Sequence, residues 1–215
     1  GLPGILIALL VRFTVSEPPR GYSEALVHEV PPPPFWAVVR FLFASPVLRN
    51  VVIAGTLTAF AGYASVIWVP IYLVRIHEMG TGEAGTYLAL TLGVGGAIGI
   101  YLGGRIADHL GKKYGEHWLA WLVAIVGLIS VPFMLLCFFA ETAETAILAY
   151  AIPAFLGTIY VACGFALIQN HTPLEMRSVC AAINLFILNI IGLGLGPFSI
   201  GLLSDLFEPS MGQDS

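Results

Sequence analysis

Charge is what this sequence has least of. Lys, Arg, Asp and Glu make up 10% of its residues and hydrophobic residues 58%, where a soluble domain carries about 25% charged and 45–50% apolar residues. That is too little polar surface to cover a water-soluble globule, and a mean hydropathy of +0.89 places the chain in lipid. Basic residues are rarer than acidic ones: nine Lys and Arg against thirteen Asp and Glu leave a net charge of −4. Phosphate backbones are held by a basic stripe; here the cations are scattered, so nucleic acid is not an expected partner. Cysteine is scarce as well. Cys137, Cys163 and Cys180 lie in or beside apolar runs without a Cys-x-x-Cys spacing or a Cys/His cluster, and they read as unpaired small core residues.

Ionisable side chains are missing from the middle of every long apolar run. His28, His77, His109, His117 and His171 all fall in connectors or at run ends. A buried proton relay, a metal centre or an intramembrane catalytic cluster would therefore lack its ligands. No enzyme activity, metal or cofactor is expected. No cleavable signal peptide is visible in these residues, and Gly1 to Val11 read as an apolar helix already under way. With no initiator Met, and with a polar segment to Ser215 directly after an apolar run, the chain reads as part of a longer protein that lacks its beginning and a final helix.

What the chain has in abundance is apolar length. A helix needs about 20 apolar residues to cross a hydrocarbon core, where its backbone polar groups must be satisfied internally. Residues 46–74, 84–103, 118–139, 144–168 and 178–203 meet that length, and 1–15 meets it in part. The expected fold class is all-α, a multi-span transmembrane helix bundle. Ser45-Pro46 supplies an N-cap followed by proline at the first helical position. Before it, residues 16–34 are polar and end in four prolines, which favours an extended connector. Phe35 to Phe43 then mixes aromatics with Arg40 and suits a short helix on the membrane surface.

Cytoplasmic loops carry the Lys/Arg excess. If the run 1–15 ends inside, Arg105, Lys112, Lys113 and Arg177 of the short loops lie on the cytoplasmic side and only Arg75 lies outside. Glycines at 95, 99 and 103, and at 192 and 196, recur every four residues, a spacing that lets helices approach closely in lipid. Run 118–139 is almost wholly apolar, with Trp118 and Trp121 at its start, and is expected to face lipid. The other four runs carry neutral polar groups at depth: Thr56, Tyr63 and Pro70 on the first, Tyr87 and Thr91 on the second, Thr158 and Tyr160 on the fourth, Asn184 and Asn189 on the fifth. A buried amide or hydroxyl in lipid either bonds a neighbouring helix or lines a wet cavity. Four spans with polar interiors and one without suggest helices around a cavity with an outer support helix. Thr56, Tyr63, Tyr87, Thr91, Tyr160, Asn184 and Asn189 are the expected substrate-cavity residues.

Between two of the runs lies Gly104-Arg105-Ile106-Ala107-Asp108-His109-Leu110-Gly111-Lys112-Lys113. In a tight cytoplasmic turn, Gly104 would let a helix end pack closely, and Asp108 would face the positive N-terminus of another helix. Gly111 would take the left-handed backbone of the reversal, and Lys112 and Lys113 would stay in the cytoplasm.

This Gly104-x-x-x-Asp108-x-x-Gly111-Lys112-Lys113 pattern resembles the repeated loop motif of the major facilitator superfamily, in its copy between the eighth and ninth of twelve helices. His109 departs from the Arg or Lys usual there. Pro173 to Ser178, Asn189 to Pro197, Gly201 to Asp205 and Trp68 to Arg75 are similar to the spinster-like branch. The resemblance covers essentially the whole chain and implies the C-terminal half of a twelve-helix fold, from the end of helix six through helix eleven. It divides the chain into the end of an N-terminal-half helix (1–15), a cytoplasmic interdomain linker (16–45), the C-terminal transmembrane bundle (46–205) and an extracytoplasmic loop (206–215). Loops 104–117 and 169–177 are then cytoplasmic. The resemblance also implies a secondary transporter working by alternating access, its cavity lined by helices seven, eight, ten and eleven, with Asp108 meeting a helix of the other half. The expected substrate is an amphipathic, anionic small molecule such as a lysolipid. The partners are that substrate, the N-terminal half and membrane lipid. The rival expectation is a non-transporting membrane scaffold or receptor with the same fold.

Overall fold

The computed structural model describes residues 2–15 and 33–211. The chain divides into two units, Gly1–Pro32 and Pro33–Ser215. In the first, the apolar run folds as helix α1, Leu2–Thr14, whose last side chain caps its own turn: Thr14 Oγ1 donates to the Leu10 carbonyl at 2.6 Å. The connector at 16–32, with Arg20 and His28, lies outside the described residues, as do 212–215.

The second unit holds six helices among its described residues. They are α2 (Phe35–Ala44), α3 (Pro46–Arg75), α4 (Thr81–Tyr114), α5 (His117–Phe138), α6 (Ala143–Asn170) and α7 (Leu174–Met211). The last five are long and apolar enough to cross a membrane. Their connections are so short that successive spans must run antiparallel. One end of the bundle therefore gathers α2, the α4–α5 turn and the α6–α7 turn, and the other gathers the α3–α4 and α5–α6 turns.

Local chemistry sets the helix ends. At the start of α3 the Leu48 amide donates to Ser45 Oγ at 3.5 Å, with Pro46 at the first turn, and at α6 the Thr145 amide donates to Thr142 Oγ1 at 3.3 Å. The expected run 84–103 is a longer helix, because nothing between Gly103 and Tyr114 breaks it. The Gly104–Lys113 motif is thus helical, and the reversal falls at Gly115, whose φ of 95° is the left-handed backbone. That corrects the assignment of the reversal to Gly111. α6 is interrupted just past Pro153: the helix stops at Leu156, the Thr158 amide turns to the Phe155 carbonyl at 3.4 Å, and the helix resumes at Ile159. α7 runs on to Met211, so residues 206–211 prolong a helix where a loop is the sequence expectation. Leu90–Gly95 and Leu188–Leu195 are π-helical, which no sequence pattern announces.

Packing divides the core into three. At one end Val69, Leu73, Ala84, Leu88 and Tyr150 join Cys137; at the other, α2 inserts Val38 and Leu42 beside Leu48, Val52 and Cys180; between α4, α5 and α6 lie Ala107, Leu119, Ile159 and Cys163. Each free cysteine fills a different cluster. Glycine sets the closest approaches. A Cβ on Gly99 would run into Thr158 Oγ1 and the Phe155 carbonyl, and one on Gly103 would stand 3.0 Å from Ile159 Cα, so the break in α6 sits where α4 presses on it. A Cβ on Gly95 would meet nothing within 4 Å, whereas one on Gly96 would touch Thr158. The α4 seam is thus Gly96, Gly99 and Gly103, because the π-helical stretch ending at Gly95 shifts the register. Gly192 and Gly196 seat α7 against Ala59 and Phe60 of α3, as their spacing predicts.

Candidate functional site

Three of the five spans border a shared concavity of about 130 Å³. α3 presents Gly55, Ala59 and Tyr63, positions four apart that form a stripe along one helix face. α6 adds Tyr160 and Gly164 just after its interruption, and α7 adds Asn184 and Asn189 at the entry to its π-helical stretch. The glycines keep the walls low; the two phenols and two amides are the polar groups. α5 contributes nothing to the lining. Its outward positions are bare, with Leu128 73% exposed and Trp121 60% exposed, as a lipid-facing support helix requires.

Four of the seven expected cavity residues, Tyr63, Tyr160, Asn184 and Asn189, therefore come together, and three do not. Thr56 is buried one position off the α3 stripe, with its hydroxyl donating to the Val52 carbonyl at 2.7 Å. Tyr87 is exposed on α4, and Thr91 beside it donates to the Tyr87 carbonyl at 3.0 Å. α4 lends no side chain to this concavity, since its small-residue face is spent on α6. Thr158 Oγ1 donates to the Phe155 carbonyl at 2.8 Å, and Asn189 Nδ2 to the Leu185 carbonyl at 2.7 Å. These polar side chains thus satisfy themselves on their own helix instead of gluing two helices together.

The side-chain bonds that do cross between spans come from residues the polar pattern did not mark. Trp68 Nε1 donates to the Pro197 carbonyl at 3.0 Å and ties α3 to α7. Tyr72 Oη donates to the Phe138 carbonyl at 3.0 Å and ties α3 to the end of α5, with His77 Nε2 3.1 Å from Tyr72 Oη. At the opposite end Glu116 receives Asn170 Nδ2 at 2.9 Å, while His171 Nε2 stands 3.5 Å from its second oxygen. An indole or phenol within an apolar run near a helix end is the only sequence signal such ties leave.

The motif residues lie along the last turns of α4. Asp108, Lys112 and Lys113 are exposed, and Asp108 makes no ion pair among the described residues. Gly104 is not a packing glycine here, for a Cβ there would meet nothing within 4 Å; its neighbour Gly103 makes the close contact. Gly111 would bring a Cβ 3.2 Å from Leu119 Cδ1, the end of a flexible chain. Arg105 Nη1 donates to Tyr101 Oη at 2.9 Å. Among the described residues no three His, Cys, Asp or Glu side chains gather as metal ligands.

The sequence profile of the Major Facilitator Superfamily matches residues 1–197. The chain is 34% identical over 163 residues to an MFS-type efflux pump of Mycolicibacterium smegmatis, covering 75% of this chain and 38% of that protein. It is 27% identical over 227 residues to protein spinster homolog 1 of Mus musculus, covering 96% of this chain and 42% of the relative. It superposes with a TM-score of 0.73, at 27% identity, on the crystal structure of a bacterial homolog of the human lysosomal transporter spinster in an inward-facing, unoccupied conformation, covering 96% of this chain and 43% of that one. Against the inward-facing occupied form the TM-score is 0.68. The chain spans less than half the length of the relatives it matches.

Proposed function

Since this chain belongs to the Major Facilitator Superfamily, in its spinster-homolog branch, we propose that it is the C-terminal half of a transporter working by alternating access. That family is one of transporters, not enzymes, and the chain is a multi-pass membrane protein. In this reading the chain runs from the end of the sixth helix through the eleventh. The cargo is an amphipathic, anionic small molecule such as a lysolipid, held near the bilayer midplane between two pseudosymmetric halves. The supporting observation is the concavity itself: three spans of an apolar bundle direct two phenols and two amides toward one hollow, an arrangement without purpose in lipid.

Residues 16–45 then link the halves on the cytoplasmic side, which also carries 104–117 and 169–177, and residues 206–215 face the other side. Asp108, exposed at the end of α4, meets a helix of the N-terminal half when the cytoplasmic side closes. The test is reconstitution of the full-length protein in liposomes with radiolabelled lysophosphatidylglycerol, with and without a proton or sodium gradient. Movement of label under any of these gradients is the expected result. Binding without movement would favour a scaffold or receptor.

A further inference from the structure

Resting on that transport reading, we infer that the concavity is a subsite for an uncharged hydroxyl- or carboxamide-bearing group of the cargo, and that Asn184 is the residue that selects it. Asn184 is only 5% exposed, yet no side-chain hydrogen bond to it exists among the described residues. Its amide offers two N–H donors and a carbonyl acceptor, and burying those unpaired among apolar groups is costly. Four other polar side chains at depth do not share the predicament: Thr56, Thr91, Thr158 and Asn189 each bond a carbonyl of their own helix. Nor is the amide sealed away. The fully shielded side-chain atom without a partner among the described residues is Thr172 Oγ1, whereas Asn184 is part of the wall of the concavity.

The chemistry of the wall limits what can satisfy that amide. None of the residues lining the concavity carries a formal charge. A phosphate or ammonium placed there would be desolvated without a counter-ion. A hydroxyl or a carboxamide needs only a donor and an acceptor, which Asn184 supplies beside the phenols of Tyr63 and Tyr160. At about 130 Å³ the concavity is close in size to an engineered cavity of about 150 Å³ that takes up benzene, the right scale for one small group of a larger amphiphile. Any charge on the cargo is held elsewhere in the transporter.

The probe pair is 1-monooleoylglycerol, uncharged with two free hydroxyls, and methyl oleate, which keeps the chain and ester but has no donor. Binding of each is measured on the purified full-length protein in detergent, alongside its thermal midpoint. The wild-type protein is expected to prefer monooleoylglycerol by about tenfold or more, because a site built to hydrogen-bond a hydroxyl rejects the analogue lacking it. Asn184→Leu should remove that preference, leave methyl oleate binding within about twofold, and melt no lower than wild type, since no intramolecular bond is lost. Asn184→Gln should restore most of the preference. Equal affinity of wild type for the two probes overturns the inference. So does a lowered midpoint in both variants with matching loss of both probes, which would mark the amide as structural. Failure of the transport reading would show differently, as no lysolipid movement in proteoliposomes while the hydroxyl preference persists.

Discussion

Glycines that look alike in the sequence do different things in the structure, and their substitution should separate them. A Cβ on Gly196 would stand 2.6 Å from the Phe60 carbonyl oxygen, and one on Gly192 2.9 Å from Ala59 Cβ. Both are closer than real contacts allow. Gly196→Ala should therefore lower stability by about 1–3 kcal/mol, the usual range for forcing extra volume into a packed interface. Gly104→Ala should instead be neutral or stabilising by about 0.5–1 kcal/mol, because the site is open and glycine disfavours a helix interior. Thermal unfolding of the two purified variants checks the pair, and equal losses would contradict it. The spacing of 192 and 196, and of 99 and 103, was legible because close approach in lipid demands small residues at helical intervals. Gly95 was misread, since a π-helical stretch rotates it off the seam and leaves no mark in composition. The polar threonines were only half legible: their depth could be read, but a hydroxyl that bonds its own helix and one that lines a cavity look the same as letters.

The turn between α4 and α5 shows how an element boundary is decided by one backbone torsion. Gly115 has φ of 95° and ψ of 164°, a region essentially confined to glycine that costs other residues about 1–3 kcal/mol. Gly111 is helical, and the only atom a Cβ there would crowd is the end of a leucine. Gly115→Ala should destabilise by about 1–3 kcal/mol, and Gly111→Ala by less than about 0.5 kcal/mol; chemical denaturation in detergent micelles distinguishes them. The Glu116 tie beside this turn should matter less. Glu116 is 47% exposed, and exposed ion pairs contribute about 0–1 kcal/mol, so Glu116→Gln, which retains an oxygen for Asn170, should shift the midpoint barely at all. Span existence and order were legible because apolar length is dictated by the bilayer. Span ends were less so: α4 extends past the expected 103 because residues 105–113, polar enough to leave the apolar run, contain no proline and include Arg105, Ala107, Leu110, Lys112 and Lys113, all good helix formers. The interruption of α6 after Pro153 needed the neighbouring α4, whose Gly99 presses on Thr158.

For the molecule as a whole, what matters is which spans meet water and which meet lipid. α3, α6 and α7 share a hollow, and α5 turns Leu128 and Trp121 outward. The grouping of α3, α6 and α7 around one hollow was readable from which runs carry polar residues at depth, but α4's absence from its lining was not, since the Thr91 hydroxyl bonds its own helix. In the full-length transporter Asp108→Asn should weaken closure of the cytoplasmic side and shift the population toward inward-open states, read as increased cysteine accessibility on that face; unchanged accessibility on both faces would contradict the gating role. The arrangement itself is tested by labelling Asn189→Cys and Leu128→Cys, each in a background without Cys137, Cys163 and Cys180, with a membrane-impermeant thiol reagent applied to the full-length protein in membranes. Labelling of Asn189→Cys but not of Leu128→Cys is predicted. The reverse pattern, with position 128 wet and position 189 dry, would contradict a half-transporter whose third, sixth and seventh helices surround a solvated chamber.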